Sequence, residues 1–142
     1  MKKWILIGGV LLLAGCAEQS ADQPADQTTD SKACDQSVDV SVVNHAEKKT
    51  TTLFKKELCL NQSETALEAL EETELPIVKT GKGEMAYVTA VDGIREKSAG
   101  ASSGWVFGVN DKPAQVGAGA YQLKDGDRLE WRFEKDAMAY FQ

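Results

Sequence analysis

The sequence predicts a single α+β domain in which one helix packs on a face of a mixed sheet. Three observations point there. Residues 38–42 and 129–133 alternate apolar and polar side chains with the period of half-buried strands. Between them, Ala66, Leu67 and Leu70 fall on one helical face, with Glu68, Glu71 and Glu72 opposite. The chain has 142 residues, 42% hydrophobic and 27% charged, which allows one compact core, since a domain takes roughly 100–200 residues.

The chain begins with an export segment. Lys2 and Lys3 precede the apolar run Trp4 to Gly15, too short to span a hydrocarbon core of about 30 Å and laid out like a secretory signal. It ends in Leu13-Ala14-Gly15-Cys16, which resembles the lipobox of bacterial lipoproteins. That resemblance implies a signal peptide over 1–15, removed before a Cys16 that carries fatty acyl chains such as palmitate. The mature protein is then held on the extracytoplasmic face of a bacterial cell membrane, stably because more than one chain anchors it. Losing two lysines takes the side-chain charge from −6 to −8. Residues 17–33 contain no aromatic, Val, Ile or Leu. They cannot bury enough apolar surface to offset chain entropy, so 16–33 reads as a disordered tether with a reach of roughly 21–25 Å.

A domain over 34–135 follows, with 136–142 as a tail. Val38, Val40 and Val42 open a hairpin whose second arm is the β-prone run Thr50 to Phe54. A turn centred on Ala46 and Glu47 pairs residues whose numbers sum to 93, and this places Cys34 opposite Cys59. An exported protein oxidises such a pair, so a Cys34–Cys59 disulfide is expected. The two cysteines lack the close spacing of a redox Cys-X-X-Cys motif. Asn61 or Ser63 then caps a helix, Asn61 with Glu64 at capping-box spacing, that ends by Leu75 because Pro76 disfavours helical geometry before it. Gly81-Lys82-Gly83 turns the chain into a strand over Ala86–Val91, and Asp92-Gly93 is a turn dipeptide. Residues 98–104 are small and polar, a mobile loop. Trp105, Phe107 and Val109 resume alternation up to Asn110-Asp111-Lys112-Pro113. A Gly-rich connection leads through Tyr121-Gln122-Leu123 to the turn Asp125-Gly126-Asp127. In the last strand Leu129, Trp131 and Phe133 face inward. Hairpin, helix and three or more strands together fit a ubiquitin-like β-grasp.

Composition narrows function. A net charge of −6 and a pI near 4.8 leave no basic surface for nucleic acid. The one histidine, His45, sits in a polar turn. No nucleophile motif or phosphate loop is present, and Asp111, Asp125 and Asp127 lack calcium-loop spacing. Neither a catalytic residue nor a metal site is expected.

Gly104-Trp105-Val106-Phe107-Gly108-Val109-Asn110, Pro113-Ala114, Val116-Gly117-Ala118-Gly119, Tyr121-Gln122-Leu123 and Lys124-Asp125-Gly126-Asp127 form a further pattern. It is similar to the bacterial domain of unknown function numbered 4430, related to the C-terminal β-domain of transcobalamin and intrinsic factor. The resemblance runs from about Val38 to Phe133. It implies a β-grasp with a ligand-facing surface. In the vertebrate carriers this domain closes over a corrinoid ring held mainly by a helical barrel, which is absent here. Paired loops at 98–104 and 110–121 make Trp105, Gln115, Gly117, Gly119 and Tyr121 the candidate ligand-binding residues. Each has a structural alternative: Trp105 and Trp131 as core, Gly117 and Gly119 as backbone geometry, Asp125 and Asp127 as turn chemistry. The expectation is a lipid-anchored binding module without cofactor or catalysis, its ligand a corrinoid or cobalamin-like molecule passed to a membrane transporter. The alternative is a surface protein-interaction module that pairs through its sheet edge.

Overall fold

A computed structural model describes residues 34–142. The signal segment 1–15, Cys16 and the tether to residue 33 lie outside the described residues. The strands are β1 (Gln36–Asn44), β2 (Thr51–Leu60), β3 (Ile77–Thr80), β4 (Tyr87–Val91), β5 (Ile94–Arg95), β6 (Gly104–Val109), β7 (Lys112–Pro113) and β8 (Arg128–Glu134), with the helix α1 (Ala66–Glu71) after β2. The architecture is α+β, mostly strand with one short helix. Five strands form a sheet in the order β2-β1-β8-β6-β7, and three form a second in the order β3-β4-β5. β1 and β8 run parallel at the centre of the larger sheet; its other neighbours are antiparallel.

Registration explains the core. Val40 pairs with Leu129, and Leu129 with Val109; Val42 pairs with Trp131, and Trp131 with Phe107. The apolar positions of three strands therefore line up in rows on one face, as a period of two requires. Ala66, Leu67, Ala69 and Leu70 of α1 are buried in the same cluster as these rows. The indole Nε1 of Trp131 donates to the Ala66 carbonyl at 3.3 Å, joining sheet to helix.

Several expectations are corrected. The helix is shorter than expected and is capped by neither Asn61 nor Ser63. Thr65 is its N-cap and Glu68 completes a capping box, the Thr65 N–H donating to Glu68 at 2.7 Å. Residues 61–65 are drawn off by the connection before β8: Leu123 N–H donates to the Glu64 carbonyl at 2.9 Å, and Thr65 bridges Gln122. The first helical N–H groups, which have no partner within a helix, are taken by the same connection. Ala66 donates to the Tyr121 carbonyl at 2.9 Å and Leu67 to that of Ala118 at 3.1 Å.

The hairpin register also differs. Gln36 faces Leu60 and Ser37 faces Cys59, a sum of 96 where 93 was expected, and the ladder slips by one residue between Val42 and Val43. Cys34 lies just before β1 and still reaches Cys59 with the two Cα atoms 5.3 Å apart. The disulfide is present, although Cys34 is not the register partner of Cys59.

Residues 98–104 form a closed turn rather than an open mobile loop. Ser103, 4% exposed, donates from Oγ to the Gly100 carbonyl at 2.8 Å and accepts from Ala99 N–H at 3.0 Å. Beyond residue 135, where a tail is expected, the chain folds back. Ala137 N–H donates to the Ser102 carbonyl at 2.9 Å, and the Arg132 guanidinium lies over the Tyr140 ring at 5.0 Å.

Candidate functional site

An apolar cleft of about 160 Å³ opens where β4, β6 and the 114–118 connection meet. Ala86 and Val88 form one wall and Trp105 and Phe107 another, while Val116 and Gly117 close a third side. Val88 of β4 and Ala86 just before it are buried with their side chains turned inward, and they supply that wall. The rim carries exposed apolar side chains. Tyr87 is 50% exposed, Val116 52% and Phe141 41%, and all three line the cleft. Exposed apolar surface gathered around a concavity is the arrangement that binding sites use and that free surfaces seldom keep.

Trp105 presents its apolar body here without an unmet polar group. It is 4% exposed, its Nε1 donates to the Ile94 carbonyl at 2.8 Å, and its ring meets Phe133 with centroids 5.3 Å apart. It is both core and cleft wall. Gly117 also lines the cleft. The other expected residues do not. Gln115 is exposed on the connection between two lining residues and reaches only the Pro113 carbonyl, at 3.5 Å. Tyr121 is half-buried and packs edge-on against Phe107, centroids 5.9 Å apart. It is not an exposed ligand platform. Gly119 is packed against the single turn of 3₁₀ helix at Gly83–Met85, where a Cβ would overlap the Gly83 carbonyl oxygen.

Close backbone approach is thus what both glycines serve. A Cβ on Gly117 would stand 2.9 Å from the Glu84 carbonyl oxygen. Gly119→Ala should cost about 1–3 kcal/mol, because neither backbone segment can withdraw without shifting the other. Gly117→Ala should cost less. Thermal melts of the ligand-free protein check this, and an unchanged melting point for Gly119→Ala would return that residue to a ligand role.

Tyr87, Val116 and Phe141 were outside the sequence expectation. Phe141 has a sequence signal, the terminal cluster Met138, Tyr140 and Phe141, which is unusually apolar for a tail. Tyr87 has none, being the polar-side member of an ordinary alternation. Its hydroxyl donates to Glu96 at 2.9 Å. Burial first, then that bond and the nearby Glu96 charge, hold the Tyr87 phenol above its ordinary value. Burial also raises that of Tyr140, with Arg132 opposing. A phenol whose pKa is raised by folding contributes stability below its unfolded value, about 10, and loses it as pH rises through the folded value. The urea midpoint should therefore fall above about pH 10, and a Tyr87→Phe/Tyr140→Phe protein should fall less steeply over the same range.

A family model described as a domain of unknown function (DUF4430) matches residues 63–135. The chain belongs to that family. The DUF4430 match takes in α1 and every strand from β3 to β8, so it contains all the cleft-lining residues except Phe141. Among solved structures, the chain is similar to a candidate metal binding protein from Ruminococcus gnavus ATCC 29149. Identity is 16% and the TM-score 0.55, over 70% of this chain and 96% of that one. It is also similar to haptocorrin, solved in complex with Cbi, at 17% identity and a TM-score of 0.52 over 72% of this chain. The DUF4430 chain corresponds to only 26% of the haptocorrin chain. At these identities the likeness is one of fold. No curated protein matches the chain. Among the described residues, no group of three or more His, Cys, Asp or Glu is placed to hold a metal ion.

Proposed function

We propose that this DUF4430 protein is a non-catalytic binding module, moored through an acylated Cys16 to the extracytoplasmic face of a bacterial membrane. It takes a corrinoid or cobalamin-like molecule and passes it to a membrane transporter. The observation that carries the reading is the aromatic cleft with its exposed apolar rim of Tyr87, Val116 and Phe141. An apolar cavity of about 150 Å³ accommodates one benzene-sized group, and the cleft volume is about 160 Å³. A ring as large as a corrin does not enter. One peripheral group of the ligand fills the cleft, and the ring lies across the rim.

Two further observations support the reading. A hairpin, a helix packed on the sheet and a central parallel β1–β8 pair are compatible with the β-grasp plan that the transcobalamin-like resemblance implies. The haptocorrin structure that resembles this chain holds Cbi, and that suggests the ligand class. Calorimetry on the full chain with cobinamide and with cobalamin tests it. Saturable heat for either, lost in Val116→Asp, is expected; no heat for both removes the corrinoid. Fatty-acid labelling tests the mooring, and a Cys16→Ser protein that remains labelled overturns it. One observation favours the second reading, a protein-interaction module: among the described residues, ten-residue β2 lies at the edge of the larger sheet, paired only with β1. Lys55 and Lys56 on that strand are side chains of the kind that discourage edge pairing, so the cleft remains the favoured site.

A further inference from the structure

The face of the larger sheet turned away from α1 carries a second and larger concavity, a groove of about 590 Å³ over β2, β1, β8 and β6. Gly108 of β6 lies beneath the Tyr140 hydroxyl, and both line the groove. A Cβ there would overlap the Tyr140 hydroxyl and crowd the Lys112 carbonyl oxygen, 2.7 Å away. Asp39 pairs in register with Glu57 on one side and Arg128 on the other, and Ser41 with both Lys55 and Glu130, so acidic, basic and hydroxyl groups are intermixed across the floor. Lys56 pairs with core-facing Val40 and so belongs to the other face; Lys55, Arg128 and Arg132 stand against Asp39, Glu57, Asp111 and Glu130 in the groove, close to balance on a protein whose net charge is −6.

We propose that this groove is a binding site for a neutral polyhydroxylated ligand, a short saccharide. Carboxylates only accept hydrogen bonds, and lysine and arginine only donate them. A ligand that satisfies both along one face must offer donors and acceptors side by side. A row of hydroxyls does this, since each donates one bond and accepts two. With the two signs nearly balanced, the lining gives little advantage to an anion or a cation. One of the heads is already held: Arg132 Nε lies 2.8 Å from Glu134 and 3.5 Å from Glu130, while Arg128 makes an exposed pair with Asp111. Ordering Arg132 for a ligand therefore costs little further entropy. Tyr140 lines the same groove and supplies carbon surface beside the polar heads. An apolar molecule finds no matching floor.

The three tyrosines of the chain separate this site from the cleft. Tyr87 lines the cleft, Tyr140 the groove, and Tyr121 neither. The full chain, labelled with 3-fluorotyrosine in phosphatidylcholine nanodiscs, is titrated with maltotriose, cellotriose and chitotriose and followed by fluorine NMR. At least one trisaccharide should shift the Tyr140 resonance saturably, leave that of Tyr87 in place, and bind at least tenfold more weakly to Glu130→Gln. The Glu130→Gln spectrum without ligand reports whether the fold is kept. If it is lost, Asp39→Asn takes its place with the same expectation. The proposal is overturned if none of the three sugars moves Tyr140, if Tyr87 moves instead, or if the folded variant binds as tightly. It is equally overturned if only an alternating lysine–glutamate tetrapeptide moves Tyr140. A corrinoid that shifts Tyr87 bears on the cleft alone.

Discussion

Trp131→Ala should destabilise the protein by about 3–5 kcal/mol. Trp131 is 2% exposed and stacks on Phe107, with ring centroids 5.0 Å apart and planes 28° from parallel. Its register partners on the two sides are Val42 and Phe107, so truncation opens a cavity in the middle row of the core, where neither β1 nor β6 can close in. The same change leaves the Ala66 carbonyl without its indole donor. Since a domain this size has only about 5–15 kcal/mol to lose, the variant should sit near its unfolding threshold. Trp131→Phe divides the loss. It keeps most of the ring and drops the N–H, so it should show the hydrogen-bond part, about 1 kcal/mol, together with a smaller cavity term. Urea midpoints of the three proteins decide it. A loss below about 1 kcal/mol for Trp131→Ala would mean that the stacked ring is not where sheet and helix are held together.

The strands that could be read from the sequence are those whose burial repeats locally. β8 shows it best: Leu129, Trp131 and Phe133 are at most 2% exposed, and every second residue is charged. One face is buried and the other wet, so the period of two is written into the residues themselves. β3 has no such record. Val78 is 47% exposed, and the strand exists because β4 pairs with it. Two-residue β5 and β7 likewise follow from turns. Asp92-Gly93 and Asn110-Asp111 take positive φ at both positions, which suits tight hairpins. The capping box illustrates a different limit. Asn61 with Glu64 and Thr65 with Glu68 are equally good pairs by spacing, and the choice is made by Gln122 and Leu123, far along the chain. The cleft is harder still, because its walls come from β4, β6 and the connection, and Phe141 joins them from what reads as a tail. Trp105 and Gly117 were found through a family pattern. Tyr87 and Val116 had no local mark that distinguishes a rim from an ordinary surface.

Opening the Cys34–Cys59 disulfide should cost about 3–4 kcal/mol. The two cysteines are 25 positions apart in sequence, and a bridge of that span restricts the unfolded chain by about this amount in the chain-entropy account. Its location makes the loss uneven. Among the described residues, β2 lies at the sheet edge with β1 as its single neighbour, and most of its residues are exposed. Without the bridge, the end of β2 near Cys59 is held by the β1 ladder, by buried Leu60 and by the Gln36 side-chain bond to the Asn61 carbonyl. Cys34→Ser should lower the urea midpoint and raise the slope of unfolding, because the unbridged chain exposes more surface when unfolded. In hydrogen exchange, protection should fall over residues 51–60 well before it falls in β8. With Ser37, not Cys34, opposite Cys59, the bridge ties the chain ahead of β1 to the ladder and is not itself a rung of it. β1 and β2 should therefore keep their pairing in the reduced protein, merely fraying sooner. If reduction instead unpairs the whole hairpin at once, the bridge is what sets the register, and the valine rows of β1 are not sufficient to hold it.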